Sequence, residues 1–375
     1  MKSSIYKSDV YLKDSIRNPA AVYGLAKWKR ISFEDSLGMH VLPSLCIGCA
    51  SCVAVCPSGC LEYVDGRPIL TKECNSCGIC SQICPRYKSS IPELERFVFG
   101  RERRPDEEFG VYRRIVIART RDDRIREVCQ DGGVVTSLLL YALERGIIDG
   151  AVVSGIDREK PLMAIPRLVD SADEIIESAG TRYTYSPNML AFKEGVAQGK
   201  KSLAFTGTPC QIQAVRRIQA LPLNRYAKRL SFTIGVFCSE CFSYEGLVNK
   251  LIREKLGINP AEVKKMNIKG KLIISTVDGD VRTVSLREAK KYASSCVSSC
   301  MDFSAELADI SVGGLGLNGW TFTILRTEKG EKLFEKAESE GFLETKPAEP
   351  YSRAFNLLIK LSKRKRRGAE RNFSS

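Results

Sequence analysis

Cys46-Ile47-Gly48-Cys49-Ala50-Ser51-Cys52-Val53-Ala54-Val55-Cys56-Pro57 and Cys74-Asn75-Ser76-Cys77-Gly78-Ile79-Cys80-Ser81-Gln82-Ile83-Cys84-Pro85 are one pattern written twice, offset by 28 residues. Short gaps let the first three thiolates of each run cap one face of a [4Fe–4S] cubane from a single tight loop. The fourth cysteine, before proline, crosses to the other cluster. The spacing therefore assigns Cys46, Cys49, Cys52 and Cys84 to one cluster, and Cys74, Cys77, Cys80 and Cys56 to a second. Gly48 and Gly78 suit close backbone approach and amide donation to sulfur. A structural zinc module would present two pairs of ligands instead. Cys60 falls outside both runs and reads as a buried small residue.

The whole chain has 375 residues, 43% hydrophobic and 27% charged, which is ordinary globular composition with length for about two domains. It carries 15 cysteines against a single histidine, His40. That balance points to metal or redox chemistry in a reducing cytoplasm. It excludes a multi-histidine zinc, copper or non-haem iron site built from this chain alone. No apolar run reaches the roughly 18 residues that span a bilayer. Residues 1–18 contain no hydrophobic block of the kind a signal peptide needs. The formal charge is +14, and residues 346–375 contribute half of it, with nine Lys and Arg against Glu349 and Glu370. The body is only mildly basic, which argues against nucleic acid as a partner.

The chain divides into an extension (1–40), a ferredoxin domain (41–90), a charged linker broken by Pro105 (91–112), a body (113–345) and a basic tail (346–375). In the body, 114–119, 151–154, 202–206 and 230–237 read as strands. Helices are expected over 132–145, with Asp131 as N-cap and Gly146 closing it, and over 170–179, 211–219 and 244–255. A hairpin over 268–277 and 281–284 turns at Asp278-Gly279. This alternation predicts a small 2[4Fe–4S] ferredoxin domain joined to a larger α/β body with a mixed sheet.

Six more cysteines lie in the body: Cys129, Cys210, Cys238, Cys241, Cys296 and Cys300. Any one of them alone reads as a core residue. Cys210 follows a strand in Gly207-Thr208-Pro209-Cys210, Cys238 and Cys241 end another, and Cys296 and Cys300 precede Met301-Asp302-Phe303. Strand ends of an α/β sheet gather at one edge, where ligands bind. Four such thiols can hold a third cubane. Gln130-Asp131-Gly132-Gly133 and Thr206-Gly207-Thr208-Pro209 each open a helix, and free amides there suit phosphate unless they are ordinary turns. The glycines Gly313, Gly314, Gly316 and Gly319 open no helix and form no dinucleotide fingerprint.

Several stretches together resemble the family of coenzyme F420 hydrogenase/dehydrogenase beta subunits. They are Gln130 to Thr136, Gly180-Thr181-Arg182-Tyr183, Gly207-Thr208-Pro209-Cys210-Gln211, Phe237-Cys238 and Cys300 to Ser311. The resemblance implies a flavoprotein that binds FAD and exchanges hydride with the deazaflavin coenzyme F420. Asp131, Gly132, Gly133, Thr136, Gly180, Arg182, Tyr183, Gly207 and Thr208 are the residues it implies for FAD. It also implies a third cluster on Cys210, Cys238, Cys296 and Cys300, with Cys241 as a spare ligand, because the gap between Cys296 and Cys300 is one residue longer than the family's. The expected activity is oxidation of reduced F420 at FAD, with single electrons leaving through the clusters to a partner. That partner is a membrane-bound respiratory complex or a soluble reductase. The rivals are a formate dehydrogenase or hydrogenase beta subunit, and an electron-transfer subunit without turnover.

In the tail, Phe355, Leu358 and Leu361 form a helical stripe ahead of Lys363-Arg364-Lys365-Arg366-Arg367. This reads either as a solvated end or as a docking element for an acidic partner, for the inner face of a membrane or for the polyanionic coenzyme.

Overall fold

Residues 29–294 and 299–373 are described by a computed structural model of the chain. Cys296 and most of the N-terminal extension lie outside them.

The two cysteine runs fold alike. Short helices, Ser51–Val55 and Ile79–Ile83, each start after a left-handed residue, Ala50 (φ 61°) and Gly78 (φ 73°). Each ends on the run's fourth cysteine in extended backbone, Cys56 and Cys84. Two positions earlier a second left-handed residue recurs, Gly48 (φ 67°) and Ser76 (φ 54°). Each half thus uses glycine at one left-handed position and tolerates a side chain at the other. Strands β1 (Leu61–Val64) and β2 (Arg67–Leu70) form an antiparallel hairpin between the helices.

Beyond the ferredoxin region the apolar strands build one sheet. They are β3 (Arg114–Thr120), β4 (Gly150–Ile156), β5 (Ala164–Val169), β6 (Leu203–Gly207) and β7 (Leu230–Val236). A separate three-stranded sheet follows, β8 (Val263–Ile268), β9 (Lys271–Thr276) and β10 (Val281–Ser285). Then β11 (Ile310–Gly313), β12 (Thr321–Leu325) and β13 (Leu343–Pro347) rejoin the large sheet. Its order is β13-β3-β12-β11-β7-β6-β4-β5. The centre, β11-β7-β6-β4, is parallel, and both flanks are antiparallel. This is the mixed sheet that the alternation predicts. In a parallel centre, strands β6 and β7 end on the same edge, and the next residues are Thr208-Pro209-Cys210 and Phe237-Cys238.

Some elements differ from their sequence reading. The helix expected over 132–145, which follows a shorter one at Asp123–Val128, spans Val134–Glu144 and starts from Gly133 (φ 71°), not from Asp131. The Gly132 amide donates to Thr321 Oγ1 (3.0 Å), so the chain is tied to β12 before the helix begins. Strands β5, β11, β12 and β13 and the helices Met189–Ala197 and Glu328–Ser339 were not expected. β11 and β12 bury Ser311 and Thr323 among apolar neighbours, which breaks the apolar pattern. The first part of the expected linker is a helix, Ile91–Phe99, capped by Ser90, whose hydroxyl accepts from the Glu93 amide (3.4 Å). The charged run after it is paired. Arg101 holds Glu107 through two bonds (2.7 and 2.6 Å). Arg103 bridges Glu95 and Glu306, at 2.5 Å to the latter.

The ferredoxin helices share a core with the sheet. Ala54, Val55, Ile83 and Leu94 are buried in one cluster with Phe192, Phe205 and Ile212. Polar bonds fix the same contact: Tyr226 Oη donates to Ala54 O (2.8 Å) and Arg217 Nε to Gln82 O (2.5 Å).

The last helix, Ser352–Phe373, is neither a solvated end nor a free tail. Ala354 and Leu358 are buried with Phe109 and Phe322. Lys363 pairs with Glu108 (2.7 Å) and Arg366 with Glu306 (2.6 Å). No helix among the described residues is long and apolar enough to cross a membrane.

Arg326 ties these parts together. It is 1% exposed. Its guanidinium donates to Ser311 Oγ (2.6 Å), Phe109 O (3.0 Å), Val111 O (2.9 Å), Ser304 O (3.3 Å) and Ser304 Oγ (3.0 Å). Burial pulls its pKa down to about 10, and Glu306 and Asp302 oppose that shift. Replacing it strands its carbonyl and hydroxyl partners and removes the positive charge beside buried Asp302, while Glu306 keeps Arg103 and Arg366. Arg326→Met is therefore expected to cost about 3–5 kcal/mol, measured as a drop in the urea midpoint at unchanged slope. A loss under about 1 kcal/mol would contradict this account.

Candidate functional site

In the ferredoxin region the thiols stand in two groups. Cys52 is in electrostatic reach of Cys49, Cys84, Cys46 and, more weakly, Cys80. Cys80 is in reach of Cys77, Cys74 and Cys56. One cavity is lined by Cys56, Cys74, Cys77 and Cys80. Cys60, 2% exposed, lines the same cavity, and its sulfur lies 3.3 Å from that of Cys56. Burial pushes the Cys80 thiol up to about 12, with Cys77 adding to it. A thiolate there needs a positive partner, which the irons of a cluster supply. Among the described residues no three such side chains converge on a single ion. Each thiolate of a cubane binds a different iron, so its four sulfurs stand wider apart than the ligands of one ion. Backbone donors are in place as well, the Phe33 amide reaching Cys74 Sγ at 3.4 Å.

The glycines of the two loops serve close approach of the chain, and the Gly48 amide also donates to the Cys46 sulfur. A Cβ on Gly48 would meet Gly66 O at 2.5 Å, and one on Gly78 would strike Lys29 O. Tyr63 Oη donates to Gly48 O (2.8 Å) and closes the first loop.

At the edge of the large sheet, Cys210, Cys238 and Cys300 come together. Cys300 is the first charged neighbour acting on Cys210. Cys238 feels Lys365, Cys300 and Cys210, and burial pushes its thiol up to about 12. The Cys238 amide donates to Phe303 O (2.9 Å), which fixes the two segments in register. Gly235 allows this approach, since a Cβ there would strike that of Ala305, itself left-handed (φ 55°). Cys296 lies outside the described residues. Cys241 is in reach of Tyr185 and Tyr63, on the side of the first ferredoxin group.

Tyr185 stands between the two sites. Its hydroxyl is 3.8 Å from Cys210 Sγ, and its other charged neighbours are Cys49, Cys241 and Tyr63. Cys49 in turn is in reach of Cys210. The sheet-edge thiols therefore adjoin the first ferredoxin group, not the second. Tyr185 escaped the sequence reading. In Tyr183-Thr184-Tyr185 the alternation placing both tyrosines on one side was its available signal.

The expected FAD residues divide. The Thr208 amide donates to Gln211 Oε1 (3.1 Å), and the Gly132 amide to Thr321 Oγ1 (3.0 Å), so both have protein partners. A Cβ on Gly133 would meet Ile125 at 2.8 Å, and one on Gly207 would meet Phe205 at 2.7 Å, so both glycines serve close packing. Thr136 is buried, 6% exposed, in the helix Val134–Glu144. Arg182 is different. Its Nε is buried without a hydrogen-bond partner, and burial alone lowers its pKa, with no acid opposing. Gly180 (φ 95°) lies against the same guanidinium, where a Cβ would meet Nη1 at 3.1 Å. A partly buried guanidinium with an unpartnered Nε and no opposing acid fits an anionic diphosphate. Asp131 faces Tyr183, Lys265 and Lys269, and burial raises its pKa. A carboxylate there suits the hydroxyl-bearing part of a cofactor better than its phosphates.

Crossed ligation has a direct test. Cys84→Ala and Cys56→Ala should each lose one cluster, about four irons per chain, whereas Cys60→Ala should lose none. Iron assay of anaerobically reconstituted variants checks this. Full iron in Cys84→Ala would contradict the crossed assignment.

Comparison with known proteins adds the family. Residues 115–193 and 200–351 match the models for the N-terminal and C-terminal parts of the coenzyme F420 hydrogenase/dehydrogenase beta subunit. Residues 39–62 match a 4Fe-4S binding domain. The chain is 42% identical over 273 residues to coenzyme F420 hydrogenase subunit beta of Methanothermobacter thermautotrophicus, covering 71% of this chain and 95% of that one. It is 31% identical over 346 residues to a subunit of the F(420)H(2) dehydrogenase of Methanosarcina mazei, covering 88% and 91%. A coenzyme F420-dependent sulfite reductase of Methanocaldococcus jannaschii is 34% identical over 326 residues, 82% of this chain and 48% of that protein. Among solved structures, a chain of the F420-reducing [NiFe] hydrogenase complex from Methanosarcina barkeri superposes with a TM-score of 0.69 at 37% identity, covering 72% of this chain and 94% of that one.

Proposed function

The chain belongs to the family of coenzyme F420 hydrogenase/dehydrogenase beta subunits, and on that premise we propose that it oxidises reduced coenzyme F420 and passes the electrons singly to a partner protein. The observation that carries this reading is the adjacency of Cys210, at the end of β6, to Cys49 of the first ferredoxin group, with Tyr185 between them. It supports a continuous path from the edge of the sheet into the ferredoxin region.

A bound FAD would supply the chemistry that matches a two-electron hydride donor to one-electron clusters. Arg182 would hold its diphosphate, Tyr183 and Asp131 would contact the rest, and Gly180 would leave the guanidinium room. Cys210, Cys238 and Cys300 would ligate a third [4Fe–4S] cluster beside it. Next to it, Cys46, Cys49, Cys52 and Cys84 would hold the first ferredoxin cluster, a reading supported by the reach between Cys49 and Cys210. Cys56, Cys74, Cys77 and Cys80 would hold a second cluster, farther from the sheet edge, from which electrons would leave for the partner. Transfer between stacked rings needs positioning rather than acid–base side chains, in keeping with one histidine in the chain. The match to the Methanosarcina mazei dehydrogenase runs over 346 residues, against 273 for the hydrogenase beta subunit. That extra length supports an electron-input subunit that brings its own ferredoxin region.

Anaerobic mixing of the reconstituted chain with reduced F420 and a one-electron dye tests the reading. Coupled loss of reduced F420 and dye reduction is expected, with no comparable rate from NADH. Recovery of no flavin after reconstitution, or dye reduction from NADH alone, would overturn it.

A further inference from the structure

The run Lys363-Arg364-Lys365-Arg366-Arg367 does two jobs on one helix. Lys363 and Arg366 clamp the helix to Glu108 and Glu306. Arg364 and Arg367 are exposed. Lys365 points the other way, into the body. Its Nζ donates to the carbonyl of Cys238, the residue that follows the end of β7 by two positions. The groups acting on its charge are, in order, the thiols of Cys238 and Cys300, the carboxyl of Asp302 and the thiol of Cys210. Among the described residues Lys365 forms no ion pair with a carboxylate, whereas Lys363 and Arg366 both do. An ammonium is thus directed at three gathered thiols, with its neighbours on the helix anchoring it there.

We propose that Lys365 is the built-in counter-charge of the cluster held by Cys210, Cys238 and Cys300. The inference rests on the third cluster of the proposed function. A [4Fe–4S] cubane held by three thiolates is already anionic, and reduction adds one further negative charge. A fixed cation at the carbonyl of a ligand residue favours the reduced form more than the oxidised form and raises the reduction potential. Cys300 is buried and Cys210, Cys238 and Lys365 are partly so, which limits the screening by water. The last helix is therefore a positioning element for electron transfer, and Lys365 is its working residue. The two ferredoxin clusters lie on other ligands and do not share this cation.

Anaerobic redox titration of the full reconstituted chain, followed by EPR, tests this without turnover. The wild type, Lys365→Met and Lys365→Arg are compared, with iron content measured for each. Lys365→Met should move one cluster signal to lower potential by at least tenfold in the one-electron equilibrium, about 59 mV, and leave the two ferredoxin signals in place. Lys365→Arg should hold the wild-type value more closely than Lys365→Met. If Lys365→Met loses about four irons while Lys365→Arg keeps them, the cation is needed to retain the cluster, which also supports the proposal. Loss in both variants, an unmoved third signal, or an equal shift of all three signals overturns it. Absence of a third signal in the wild type overturns the third cluster itself, a failure distinct from an unmoved one.

Discussion

Ala54, Val55 and Ile83 of the two ferredoxin helices are buried in the same core as Phe192, Phe205 and Ile212 of the sheet layer. The rest of the arrangement depends on that contact. A cluster domain on a flexible tether would meet the sheet edge at varying distances. Here the helix that carries Cys52 is packed on the layer that follows the strand leading to Cys210. Arg217 and Tyr226 bond the same helices to the body through their backbone carbonyls. Cys49 and Cys210 are neighbours because of this packing.

The ion pairs around Glu306 extend the same logic. Glu306 receives Arg103 from the segment after the ferredoxin region and Arg366 from the last helix. Asp302, in the same segment, has its pKa raised to about 6, first by burial and then by the charge of Glu306. Arg326 bonds the neighbouring hydroxyls and carbonyls through Nε and both terminal nitrogens. Such a network is poor as a source of net stability but good at enforcing one geometry. It ties the segment that carries Cys300 to the last helix.

Much of this was legible in the sequence, for reasons that particular residues make plain. The repeat of Cys-x-x-Cys spacing sets backbone geometry locally, so the neighbours of Cys52 and Cys80 could be read from it. Strands β3, β6 and β7 were visible because they are largely apolar runs. β11 was not, because Ser311 and Gly313 interrupt it and its pairing partners lie elsewhere in the chain. The linker concealed the helix Ile91–Phe99 because the charged run after it reads as a break, although Ser90, Pro92 and Glu93 are local start signals and Glu95 pairs with Arg103 in the fold. Lys365 was hidden by composition. A run of five basic residues reads as one solvated face, yet Leu358, Ser362, Lys365 and Ala369 recur at helical spacing and so share one face of the helix.

The central claim is that electrons reach the ferredoxin clusters only through the sheet-edge thiols. Freeze-quench EPR of Cys210→Ala, loaded with FAD and mixed with reduced F420, tests it most directly. The account predicts that the flavin absorbance bleaches while the ferredoxin signals fail to appear on the time scale of the wild type. Ferredoxin signals that rise at the wild-type rate in that variant would contradict it.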